Sequence, residues 1–241
     1  MHSVAAESAS APVIPWSGDG FRLIPSRFPP VSVYEGLVAN DRMDVLAEIE
    51  SLTNPRLRSE ARLIRGAEGV PNSNLLQNWN LAPFAYGNPE GCTFFGEERS
   101  CLEVADDRQT ALAIAVAKRE RFLSRTKEAS IGLDMRLLKT PVNGSFWDLR
   151  QLGVVADRNT RMEIGKAAPL GVDGILFHTV ERPSGLALSI LNGACLGRSL
   201  QATHYRFVWD GSMISVLYAF DDKGTEIDPR RLSGEDDILA A

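Results

Sequence analysis

Cysteine and histidine are scarce: the 241 residues hold three of each, Cys92, Cys101 and Cys195 with His2, His178 and His204. An odd cysteine count without a CxxC pair builds neither a disulfide framework nor a zinc site, and it points to a reducing compartment. Long apolar runs are also missing. No stretch approaches the roughly 18 residues of a membrane span, and the N-terminus lacks the basic start and apolar core of a secretory signal. A cytoplasmic location, with no membrane partner, is expected. Positive charge is short, with 26 Lys and Arg against 31 Asp and Glu, a net charge of -5 and a pI near 5.3. A protein binding nucleic acid through counterion release normally has the opposite balance, so DNA and RNA are disfavoured as partners. There is no internal repeat, and no Walker A, GxGxxG, HExxH, GxSxG or EF-hand motif.

What remains is an ordinary globular composition, 44% hydrophobic and 24% charged, long enough for one sizeable core. The Ala-, Ser- and Pro-rich residues 1–20 are expected to form a flexible leader, residues 21–229 the domain, and residues 230–241 a frayed tail. The spacing of Met43, Leu46, Ala47 and Ile49 predicts a helix from about Asp41 to Ser51, stopped by Asn54-Pro55. Between Gly66 and Gly91, asparagines and prolines interleaved with Trp79, Phe84 and Tyr86 predict a long, ordered aromatic loop.

The clearest helix runs from Asp106 to about Ser124, with Asp106-Asp107 at its positive end and Lys118, Arg119, Arg121 and Arg125 towards its negative end. Leu112, Ala115, Val116, Phe122 and Leu123 should share its core face, with Ile114 on the other side. IGLDMRLLKT and SFWDLRQLG then read as strands, with a short helix between Asn159 and Ala168. GVDGILFHTVERPSGLALSILN reads as two buried strands turning at Arg182-Pro183-Ser184-Gly185. YRFVW and SMISVLYAF flank Asp210-Gly211, a two-residue hairpin signal. The class expected is α+β with a largely antiparallel sheet.

Taken singly, His178 and His204 show no ligand spacing and read first as packed or solvated side chains. Cys92 and Cys101 lack a recognisable base and read first as small packed residues rather than nucleophiles. No metal site is expected.

From Arg22 to about Tyr218 the phrases FRLIPSRFPPVSVYEGL, ESLTNPRLRSEA, LAPFAYGNPEGCTFF, RQTALAIAVAKRERFL, DMRLL, GVDGILFHTVERPSG and YRFVWDG resemble, in order and spacing, the longer branch of the RES-domain family. The resemblance implies an ADP-ribosyltransferase-like fold. It also implies the activity of bacterial toxin–antitoxin toxins that consume NAD as phosphorylases, glycohydrolases or ADP-ribosyltransferases. Breaking the nicotinamide–ribose bond builds positive charge on the ribose. A carboxylate must stabilise that charge while arginines hold the pyrophosphate.

Carried over position by position, the family pocket is only partly present. Its first arginine matches Arg22, but the second falls on Thr93, the tyrosine on Glu103 and the glutamate on Ile114, while the serine falls on Thr179. Glu103 is a candidate substitute acid and Glu120, in the RER phrase, a structural partner. Arg27, Arg56 and Arg182 are further candidate phosphate contacts, and Trp79, Phe84 and Tyr86 candidate stacking residues. The preferred expectation is a diverged RES-domain protein without standard NAD cleavage, requiring no cofactor, with NAD or another nucleotide-like small molecule as ligand. The alternatives are an active NAD-consuming enzyme and a non-catalytic protein engaging an antitoxin-like partner.

Overall fold

The computed structural model describes residues 8, 10–26, 78–85, 88, 90–221 and 224–239. The helix expected from Asp41 to Ser51 lies outside these residues, as do Arg27, Arg56 and Tyr86. The fold is mixed α+β, with an eight-stranded, mostly antiparallel sheet and few helices.

Strand β3 (Ile131–Asp148) organises the sheet. One edge carries β1 (Val13–Pro25) antiparallel along its whole length. The other carries β6 (Leu200–Trp209) antiparallel on the first half and β4 (Gly174–His178) parallel on the last three residues. β4 pairs with β5 (Leu186–Ile190), β5 with β2 (Leu102–Ala105), and β2 meets β1 at Phe21 and Ala105. The circuit β1-β2-β5-β4-β3 therefore closes on itself, which leaves those strands without an open edge. β7 (Ile214–Phe220) and β8 (Glu226–Ile227) extend the sheet beyond β6.

Three sequence expectations change here. Residues 13–20, expected in a flexible leader, are strand. Alternate positions Ile14 and Trp16 pack on the core, and at Gly20 a Cβ would come within 2.6 Å of the Val104 side chain, so glycine permits this close pairing. The two strands expected at 131–140 and 145–153 are largely one, since β3 continues through Pro141. That proline sits between the β6 and β4 ladders, where proline is tolerated. The hairpin loop has four residues, Asp210–Met213, because the Asp210 N–H donates to the Met213 carbonyl at 3.0 Å and the Asp210 carboxylate accepts the Ser212 and Met213 N–H groups.

Part of the expected aromatic loop is helix α1 (Asn78–Ala85), which accommodates Pro83. Phe84 packs against the core, so it anchors this segment and lines neither cavity of the cleft described below. Helix α2 (Arg108–Leu123) forms where expected, capped by the Asp107 carboxylate, which accepts from the Thr110 N–H at 2.8 Å. Leu112, Ala115, Val116 and Leu123 are buried, but Phe122 is 59% exposed because the last turn runs past the core to a cavity rim. Helix α3 (Arg158–Lys166) matches the expected short helix.

The C-terminal segment is not frayed over its described length. Gln109 Nε2 donates to the carbonyls of Leu232 and Asp236 at 3.1 and 3.0 Å, and the Ile238 N–H donates back to Gln109 Oε1 at 2.9 Å. Arg182, buried at 8% exposure, donates to the Asp107 carboxylate, the Thr110 hydroxyl and the Gly234 and Glu235 carbonyls. The chain end is thus strapped to the start of α2. Arg182→Met should lower stability by about 2–4 kcal/mol in denaturant titration, since buried charged hydrogen bonds are lost. A loss under about 0.5 kcal/mol would show that the strap contributes little.

Candidate functional site

Two cavities, of about 620 and 270 Å³, adjoin on one side of the sheet, and Asn88, Cys92, Glu103, Lys118 and Arg119 line both. The larger is bounded by the 88–94 loop, the second half of α2, the start of α3 and the turn after β4. The smaller lies between β1, β2 and the middle of α2. Together they form one cleft.

Glu103 stands at the junction. Period-two alternation buries Leu102 and Val104 and turns Glu103 to the cleft side of β2. Its Oε1 accepts the Thr93 N–H at 2.7 Å, and its Oε2 accepts from Lys118 Nζ at 2.7 Å. Burial alone would raise the carboxyl pKa, but the Lys118 ammonium and the hydrogen bonds from Lys118 and Thr93 outweigh it and hold the group down at about 2. Glu103 is therefore a fixed anion. It is not a proton donor near neutrality, and Lys118 already balances its charge.

Thr93 contributes backbone to this arrangement: its carbonyl accepts from Arg161 Nε at 3.2 Å. Arg161 also donates to the carbonyls of Val155 and Ala156, and burial pulls its pKa below the usual value. Arg158, one turn earlier on α3, donates to the Glu90 carbonyl at 2.8 Å. Gly165 lets α3 press this close, because a Cβ there would stand 1.9 Å from the Phe94 carbonyl oxygen. Phe94 meets Phe177 edge-on at 4.8 Å in the wall of the larger cavity.

Beside the segment that leads into α3, where Val154 bridges to it, β4 ends in His178, and Thr179 and Glu181 follow. The Thr179 hydroxyl donates to Glu181 Oε2, while the Glu181 N–H donates to Thr179 Oγ1 at 3.4 Å. His178 Nδ1 lies 3.3 Å from the Gly185 carbonyl. In the smaller cavity Arg22 and Ile114 face the same space. Burial lowers the Arg22 pKa to about 10, so it stays cationic at neutral pH. Ile114 touches two of the three core clusters while lining the cavity, so its apolar side chain has packing to gain there.

The structure thus brings Thr93, Glu103 and Thr179 to the larger cavity, and Arg22, Ile114 and Glu103 to the smaller. Arg182 lines neither, because its guanidinium is consumed by the C-terminal strap. Glu120 accepts the Ile214 N–H at 2.8 Å, a structural role. The sulfurs of Cys92 and Cys101 meet at disulfide contact, contrary to the expectation of two separate packed thiols. Cys195 is a buried free thiol with its pKa pushed up to about 12 by burial and then by Asp173. His204 bonds Gln201 and Ser26, away from the cleft.

Sequence reading missed Glu181, Arg158 and Arg161. The i,i+3 spacing of the two arginines on one helix face was the available signal, and Glu181 stood two residues after Thr179 in an already quoted phrase. Among the described residues, no group of three or more His, Cys, Asp or Glu is placed to hold a metal ion, and no helix is long and apolar enough to cross a membrane.

No protein-family model matches the chain. The uncharacterized protein y4oC of Sinorhizobium fredii is 57% identical over 220 residues, covering 91% of this chain and 95% of that protein. A crystal structure of the M. tuberculosis MbcT-MbcA toxin-antitoxin complex aligns over 95% of this chain and 94% of its own, at 11% identity and a TM-score of 0.44.

The Glu103 arrangement predicts a pH dependence. Its carboxyl titrates at about 2 when folded against a usual 4.5, so its stabilisation is complete above pH 4.5 and is lost as pH falls towards 2. At neutral pH this contributes on the order of 3 kcal/mol. Urea titrations from pH 2 to 6 should show a stability slope that Glu103→Gln flattens; an unchanged slope in the variant would contradict the assignment.

Proposed function

We propose, for a chain that belongs to the same family as the uncharacterized protein y4oC of Sinorhizobium fredii, that the joined cavities bind a phosphate-bearing small molecule of the nucleotide class without the NAD cleavage that the RES resemblance implies. One observation carries this reading. A single cleft combines the cations Arg22, Arg119, Arg158 and Arg161 with Ile114 at the position that matches the RES carboxylate.

Guanidinium groups suit phosphate oxygens, which they hold with charge-assisted and often bidentate hydrogen bonds. The larger cavity, at about 620 Å³, lies within the size range of small-molecule sites. Cleaving the nicotinamide bond has a further demand, a negative charge beside the developing ribose cation. Ile114 supplies none. The charge of Glu103 is matched by Lys118 at 2.7 Å, so its field at a neighbouring cation is largely cancelled. Losing such a group commonly costs about 10²–10⁴ in rate.

A second reading, active NAD consumption, draws support from Glu103 and Glu181, two of the three carboxylates that line the larger cavity, neither of which matches the RES glutamate. Incubation of the purified protein with NAD, with and without phosphate, separates the readings. The expected outcome is no nicotinamide release above buffer, together with a rise in melting temperature on adding ADP-ribose. Turnover at enzyme-like rates would establish the second reading instead. Absence of both turnover and any nucleotide shift would favour a surface that engages a protein partner of the antitoxin type.

A further inference from the structure

Of the acidic residues in the larger cavity, Glu90 pairs with Arg125 and Glu103 with Lys118, whereas Glu181 forms no ion pair among the described residues. Its carboxylate is nevertheless fixed in place. The Thr179 N–H donates to the Gly185 carbonyl at 3.4 Å, which sets the start of the turn, and the Thr179 hydroxyl then holds Glu181 Oε2. Oε1 accepts no hydrogen bond among the described residues. Thr179 itself is only 3% exposed, so the pair is built from the core outward. Glu181, Arg158 and Arg161 line this one cavity, so anionic and cationic groups share one space.

We propose that Glu181, oriented by Thr179, is the hydroxyl-recognising carboxylate of this cavity, and that the ligand presents a sugar hydroxyl there while its phosphates lie towards the arginines. A carboxylate oxygen accepts hydrogen bonds and donates none when ionised, so it selects O–H groups and repels phosphate. Arg158 and Arg161, in the same lining, do the reverse. Two kinds of group with opposite preference in one lining fix the orientation of a sugar phosphate. Glu181 is thus a specificity-determining residue and Thr179 a positioning one. This inference rests on the nucleotide reading of the cleft.

Calorimetric titration of the full chain with two probes, ADP-ribose and inorganic pyrophosphate, tests it and keeps the two ideas apart. Glu181→Gln should weaken ADP-ribose about tenfold, the difference between a charged and a neutral hydrogen bond, and should leave pyrophosphate unchanged or slightly tighter. Thr179→Val should weaken ADP-ribose selectively, and Thr179→Ser should preserve it, with circular dichroism confirming the fold of each variant. Equal ADP-ribose affinity in wild type and Glu181→Gln would overturn the inference, as would equal losses for both probes. Pyrophosphate binding without ADP-ribose binding would also overturn it, while leaving the anion site standing. If the wild-type protein binds neither probe, the nucleotide reading fails and this inference with it.

Discussion

One carboxylate holds the cleft together. Glu103 accepts a backbone N–H from the 88–94 loop with one oxygen and the Lys118 ammonium with the other, so strand β2, that loop and helix α2 are tied at one point. Both cavities open from this junction. The same bonds that fix the cleft also commit the charge of Glu103, which separates its structural value from any chemical one. A carboxylate held at about pKa 2 is dependable as an anchor and poorly suited to moving protons near neutrality.

Around this junction the lining charges come from separate elements. Arg158 and Arg161 come from α3, pressed against the Phe94 carbonyl through Gly165. Thr179 and Glu181 come from the turn after β4. That turn is held from behind by Arg182, which links it to the cap of α2 and to the C-terminal strap. Packing and site geometry are therefore coupled: the strap keeps α2 and the β4 turn in fixed relation, and the cleft lies between them.

Much of the fold was legible in the sequence. The acidic start and apolar spacing of α2 and the apolar runs of β4 and β5 each carry a local signal strong enough to survive tertiary context. The first part of strand β1, residues 13–20, was hidden because Pro15, Gly18 and Gly20 look like loop residues, and only the partner strands reveal that the buried Gly20 permits close pairing. Helix α1 was hidden by Pro83 and its asparagines, and the continuity of β3 by Pro141. Of the site, Glu103 and Thr179 were found because the RES resemblance fixed their positions. Glu181 escaped because nothing local distinguishes it from a solvated surface acid. Arg182 misled for the opposite reason: its position near Thr179 suggested the cleft, but long-range bonds to Gly234 and Glu235 decide where its guanidinium goes.

On the proposed reading, a RES-like pocket lacks the expected charges at two positions, Thr93 and Ile114, within a cleft that is kept. Putting the two charged side chains back is the decisive experiment. The double variant Thr93→Arg with Ile114→Glu, checked for folding and for NAD binding, should release nicotinamide from NAD at a rate well above the wild-type protein. A folded, NAD-binding double variant that stays as inert as wild type, or a wild-type protein that already turns NAD over, would show that these two positions are not what the pocket lacks.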